Sequence, residues 1–163
     1  FGLMGALPEH ATLVALAICG AMLGFAPSNR PVARLFLGDG GSLPIGLLMG
    51  WLLILLAGSG HFAAALILPL YYLADTTITL LCRLINHEPV LQAHRSHFYQ
   101  QAIGGKFSVY QVVGRVFALN IILIGLATAT VMTKSITLHI IMLAVSSTIV
   151  GILLSNFRHA HSG

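Results

Sequence analysis

Charge is nearly missing from this chain. Only 7% of its 163 residues are Asp, Glu, Lys or Arg, against about 25% in an average soluble domain. The four acids are Glu9, Asp39, Asp75 and Glu88, and no two are adjacent. The two cysteines, Cys19 and Cys82, have no metal-binding spacing and no disulfide framework. No basic stretch precedes the first apolar run, which excludes a signal-peptide reading, and the start at Phe1 reads as the edge of a fragment. What fills the chain instead is apolar: 57% hydrophobic residues and a mean hydropathy of +0.93. This is the composition of an integral membrane protein. The net charge of +4 would suggest nucleic acid in a soluble protein. Here the cations lie between apolar runs and read as topology signals, with no nucleic-acid partner.

A spanning helix needs about 20 mostly apolar residues. Five runs qualify, at about 11–26, 43–57, 62–84, 112–132 and 136–154, the first two being short. No soluble domain or internal repeat interrupts them. The expectation is an all-α, polytopic transmembrane bundle of about five spans, one membrane domain over residues 1–163. Arg30, Arg34, Arg83, Arg95, Lys106, Arg115 and Arg158 fall on one side of these spans, and only Lys134 on the other. The positive-inside rule then puts the two long loops and the C-terminus in the cytoplasm, and the N-terminus outside. Pairs of small residues four apart (Gly20 and Gly24, Gly46 and Gly50, Gly125 and Ala129) suit close helix approach in a bundle.

Two polar islands lie in those two loops. The first is Gly38-Asp39-Gly40-Gly41-Ser42. Its glycines permit unusual backbone angles and close approach to a ligand. Ser42 reads as an N-cap and Pro44 as a first-turn proline, so a helix start would offer free N–H groups to phosphate. Asp39 beside it suits Mg²⁺, which takes one or two carboxylates plus substrate phosphate oxygens. The plainer reading is a capped helix start with a solvated acid. The second island is His94-Arg95-Ser96-His97. In a short helix the two histidines share a face with the guanidinium near, a set that clamps diphosphate. An amphipathic helix resting on lipid headgroups explains the same residues.

Asp75 is a third feature, inside an apolar run. With Thr79 and Arg83 it forms a stripe at four-residue spacing on one helix face. An acid within a span is a functional candidate by default, although a structural ion pair would also account for it.

Taken together, Arg34-Leu35-Phe36-Leu37-Gly38-Asp39-Gly40-Gly41-Ser42, then Asp75 with Thr79 and Arg83, then Ala93-His94-Arg95-Ser96-His97-Phe98-Tyr99-Gln100 resemble the polyprenyl-phosphate N-acetylhexosamine-1-phosphate transferases. This superfamily includes phospho-MurNAc-pentapeptide translocase, and the second loop looks most like the O-antigen-initiating branch. The resemblance implies transfer of N-acetylhexosamine-1-phosphate from a UDP-sugar to polyprenyl (undecaprenyl) phosphate with Mg²⁺, or Mn²⁺ in its place, at the bacterial inner membrane. It implies a metal-site or catalytic role for Asp39. It assigns His94, Arg95 and His97 to a pyrophosphate loop, and Gly38, Gly40, Gly41, Ser42, Tyr99, Gln100 and Asp75 to substrate contact. The family's upstream Asp-Asp motif is absent, so the chain resembles a C-terminal half and is expected to be inactive alone. Membrane lipid is an expected partner, and a homo-oligomer is an open option. A transporter half, or a non-catalytic membrane subunit, is the alternative.

Overall fold

Residues 1–29, 33–86 and 107–159 are described by a computed structural model. Their regular structure is helical: 3-10 turns at Gly2–Met4 and Ala26–Asn29, and helices α1 (Glu9–Phe25), α2 (Gly38–Gly58), α3 (Phe62–Ile67), α4 (Leu70–Ile85), α5 (Val109–Met132) and α6 (Ile136–His159). Four stretches, Glu9–Asn29, Gly38–Gly58, Val109–Met132 and Ile136–Arg158, are long and apolar enough to cross a membrane. The 21 residues of α2 rise about 32 Å, and a bilayer core is about 30 Å thick. Leu47 is 76% exposed, Ile54 72% and Ile136 74%. In water such faces would aggregate; against lipid tails they are at home. The chain is an all-α membrane protein.

Contacts divide it into two compact units, Phe1–Ala65 and Leu66–Gly163. In the first, α1 packs on α2. The His10 and Trp51 rings lie 6.2 Å apart, which brings the start of α1 to the second half of α2. Leu52 and Leu56 are buried there. The N-terminal turn folds onto α1 so closely that a Cβ on Gly2 would strike the Thr12 side chain. Between α1 and α2 the chain is drawn back on itself: the N–H groups of Arg34 and Leu35 both donate to the Ser28 carbonyl, at 2.9 and 3.2 Å.

The third apolar run, expected as one span over 62–84, is two helices. Pro69 has no N–H to donate to a carbonyl one turn earlier, so α3 stops at Ile67. Helix α4 begins anew, with the Leu73 N–H donating to the Pro69 carbonyl at 3.0 Å. The small-residue pairs also differ from expectation. A Cβ on Gly20, Gly24, Gly46, Gly50 or Gly125 would meet nothing within 4 Å, so these glycines seat no neighbouring helix among the described residues.

In the second unit α4 and α5 both belong with α6, which contacts each of them. Leu119, Leu123, Ala127 and Thr130 of α5 are buried, as are Ser146, Val150, Leu154 and Phe157 of α6. Their three- and four-residue spacing makes one stripe on each helix. Lipid tails are as apolar as leucine, so dispersion and shape, rather than water exclusion, hold such stripes together. Buried hydroxyls turn inward to their own helix: Thr130 Oγ1 donates to the Ala127 carbonyl at 2.7 Å, and Ser146 Oγ to Met142 at 2.8 Å. Helix α5 opens with a capping box, in which the Ser108 side chain accepts from the Gln111 N–H and the Gln111 side chain accepts from the Ser108 N–H. At the other end His139 Nε2 lies 3.0 Å from both the Thr130 carbonyl and the Thr133 carbonyl. Both partners are acceptors, so Nε2 carries the proton and closes the end of α5.

Candidate functional site

The first polar island is not a loop ahead of a helix. It is the beginning of α2 itself. Gly38 adopts a φ of 60°, a left-handed angle that suits glycine. Asp39 occupies the first turn and is exposed. Ser42 is therefore inside the helix rather than its N-cap, and Leu37 holds the cap position with no side-chain hydrogen bond. Pro44 lies in the helix interior rather than its first turn. It leaves the Gly40 carbonyl without its usual N–H partner. Glycine and proline misdirect the reading in the same way: both are strong boundary signals, and here the helix runs through them.

The outcome for chemistry is a helix N-terminus whose orphan N–H groups have no side-chain cap, with a carboxylate in the same turn. The N–H groups and the positive end of the helix dipole favour an anion. The glycines separate by cause. A Cβ on Gly41 would come within 2.8 Å of the Leu37 side chain, whereas one on Gly40 would meet nothing within 4 Å. Gly41 thus has a packing reason and Gly40 has none among the described residues. Arg34, exposed, lies just upstream. Among the described residues no three His, Cys, Asp or Glu side chains group to hold a metal ion. Asp39 alone offers one carboxylate, which fits Mg²⁺ where phosphate oxygens and water supply the other ligands.

Asp75 belongs to the second unit. Tyr71, Asp75, Thr79 and Arg83 of α4 are all buried, at 2, 4, 4 and 6% exposure. The stripe expected from their spacing is therefore the inward face of α4, and Tyr71 extends it by a turn. Thr79 Oγ1 is buried with no hydrogen-bond partner among the described residues. Beside the stripe, a cavity of about 480 Å³ opens between α4 and α5. Asp75, Tyr72 and Thr76 line one wall, and Val113, Val116 and Asn120 are among the residues of the other. Asn120 Nδ2 donates to the Tyr72 hydroxyl at 3.2 Å and to the Val116 carbonyl at 3.0 Å. Sequence reading passed over Tyr72 and Asn120. Asn120 had a visible signal, as the lone carboxamide in the 112–132 run.

His94, Arg95, His97, Tyr99 and Gln100 lie outside the described residues, as does Arg30.

Comparison with known proteins bears on the same islands. Residues 1–57, which contain Asp39 and its glycines, match glycosyl transferase family 4. A protein of Bacillus subtilis (strain 168), named a probable undecaprenyl-phosphate N-acetylglucosaminyl 1-phosphate transferase, is 24% identical over 155 residues, 89% of this chain and 43% of its own. A phospho-N-acetylmuramoyl-pentapeptide-transferase of Limosilactobacillus reuteri is 38% identical over 74 residues, 45% of this chain and 22% of its own. One of that name in Nautilia profundicola is 46% identical over 43 residues, 26% of this chain and 12% of its own. The chain thus spans less than half the length of each of these relatives. No solved structure matches it significantly. The family match over residues 1–57 and these relatives support the resemblance of the polar islands to the polyprenyl-phosphate sugar-1-phosphate transferase superfamily.

Proposed function

We propose that this chain forms part of a membrane enzyme that transfers N-acetylhexosamine-1-phosphate from a UDP-sugar to a polyprenyl phosphate, in the initiation of cell-envelope polysaccharide. One observation carries the reading. Asp39 is exposed in the first turn of a membrane-length helix that lacks a side-chain cap, within the stretch that matches the family.

The chemistry suits that geometry. An oxygen of the polyprenyl phosphate attacks the β-phosphorus of the UDP-sugar. The new P–O bond forms as the bridging P–O bond to UMP breaks, and the electron pair leaves with UMP. Bringing two phosphates together is opposed by their charge. The N–H groups at the start of α2 would hold phosphate oxygens, and the bare backbone at Gly40 would let them approach. Asp39 would present its carboxylate to Mg²⁺, which when bound offsets phosphate charge. Arg95, flanked by His94 and His97, would grip a diphosphate, with Tyr99 and Gln100 nearby in sequence. A lipid acceptor requires such a site at the membrane surface, which on the distribution of cations is the cytoplasmic face. On this reading residues 1–163 insert into membranes but do not transfer by themselves, because one carboxylate does not position both metal and acceptor.

The test is UMP release from UDP-N-acetylglucosamine by the intact membrane protein in vesicles containing undecaprenyl phosphate. Asp39→Asn should abolish most of it, and unchanged turnover would sink the proposal.

The transport reading gains one support, the break between α3 and α4, since transporters bind substrate at discontinuous helices. The break is at residues 68–69, however, and the α4 wall of the Asp75 cavity starts at Tyr71. The unwound backbone does not line the cavity, so the transfer reading is preferred.

A further inference from the structure

A second cavity, about 270 Å³, runs between α5 and α6. Arg115 and Asn156 stand at one end of it, and Ala118, Leu119, Ile122, Ile149, Ile152 and Leu153 form the rest. We infer that this groove holds an anionic glycerophospholipid of the surrounding membrane. Its phosphate would lie on Arg115 and Asn156, and an acyl chain along the apolar floor.

Three features carry this. The first is depth. Arg115 sits about 9 Å inside the start of α5, on a helix of 24 residues that rises about 36 Å through a core of about 30 Å. A guanidinium there is costly unless an anion or the interface reaches it. Arg115 is exposed, and no carboxylate pairs with it among the described residues.

The second is preorganisation. The Arg115 Cζ lies 3.8 Å from the centre of the Phe107 ring, and Phe107 packs edge-on against the buried Phe157 at 6.2 Å. Stacking occupies one face of the guanidinium and fixes its plane, leaving the N–H edges for the paired oxygens of a phosphate.

The third is shape. The floor from Arg115 to Ile122 is about 10 Å long and, past the Arg115–Asn156 end, wholly apolar, a polar head above an apolar track. That pattern fits a phospholipid and does not fit a soluble anion. Basic pockets between helices are the usual seats of anionic headgroups.

The experiment takes the chain from nanodiscs of equal phosphatidylglycerol and phosphatidylcholine and measures the lipids that stay bound, by native mass spectrometry. Phosphatidylglycerol should be enriched about fivefold, the preference one Arg near the surface supplies. Arg115→Gln should erase the enrichment, and Arg34→Gln should leave it. Ala118→Phe, which fills the groove but spares the Arg115–Phe107 stack, should also erase it, so the result does not depend on the Arg115 variant folding. Equal retention of the two lipids, or enrichment that survives both groove variants, would overturn the assignment. So would displacement of phosphatidylglycerol by equimolar undecaprenyl phosphate, which would make the groove a seat for the acceptor.

Discussion

Asn120 of α5 reaches across to Tyr72 of α4, its Nδ2 donating to the hydroxyl oxygen at 3.2 Å. The bond ties two walls of the cavity that Asp75 also lines. Side-chain hydrogen bonds between membrane helices contribute about 0.6 kcal/mol on average and up to about 1.7. Asn120→Leu and Tyr72→Phe should therefore each destabilise the folded protein modestly, and the double variant should cost less than their sum. Unfolding in mixed micelles, taken as a double-mutant cycle, measures this. Strict additivity would mean that the pair does not interact in the membrane.

Asp39→Asn preserves shape and removes charge. If the carboxylate faces a metal-bound phosphate, turnover of the intact enzyme should fall by about 10²–10³-fold, as for loss of other well-placed electrostatic groups. Turnover within threefold of the parent would rule out a direct metal role.

The glycines around Asp39 should behave differently from one another. Gly38→Ala places a Cβ at a φ of 60°, which costs about 1–2 kcal/mol. Gly40→Ala meets open space and should leave stability unchanged or slightly raised. If Gly40 is bare to admit a phosphate, its Ala variant should still lose activity. Paired thermal-melt and activity measurements separate the two effects, and full activity in Gly40→Ala would remove the close-approach role.

Arg95→Lys retains charge but loses the planar fork. A bidentate diphosphate clamp predicts impaired transfer in Arg95→Lys and worse in Arg95→Ala. A lipid anchor predicts that the Lys variant matches the parent. Steady-state kinetics with varied UDP-sugar distinguishes these.

Orientation is testable by cysteine labelling in intact cells. Cys19 and Cys82 are both exposed, so they are first replaced by alanine. Cysteines at Ser59 and Lys134 should then label from outside, and one at Lys106 only after permeabilisation. Labelling of the Ser59 position only after permeabilisation would invert the topology.

The helical membrane architecture was legible because apolar length is a strong signal. The α4 stripe was legible because Asp75, Thr79 and Arg83 are rare residues at helical spacing. The start of α2 was not. Three glycines, a serine and a proline read as a boundary, yet the helix begins at Gly38 and tolerates Pro44 at the loss of one hydrogen bond. The break at Pro69 was missed for the opposite reason. A single proline between strongly apolar flanks was outweighed by the length of the run. Asn120 stood out as a lone carboxamide, but its partnership with Tyr72 spans 48 positions, and no local pattern encodes it.

Pro44 has a mechanical consequence. Below it, α2 is anchored: Leu52 and Leu56 are buried and Trp51 stands beside His10. Above it, the turn that carries Asp39 is joined to the shaft by one rung fewer, at the Gly40 carbonyl. The span therefore behaves as a fixed post with a compliant tip. If Asp39 meets a ligand as proposed, the turn that carries it can adjust to that ligand while the post stays seated in the bilayer.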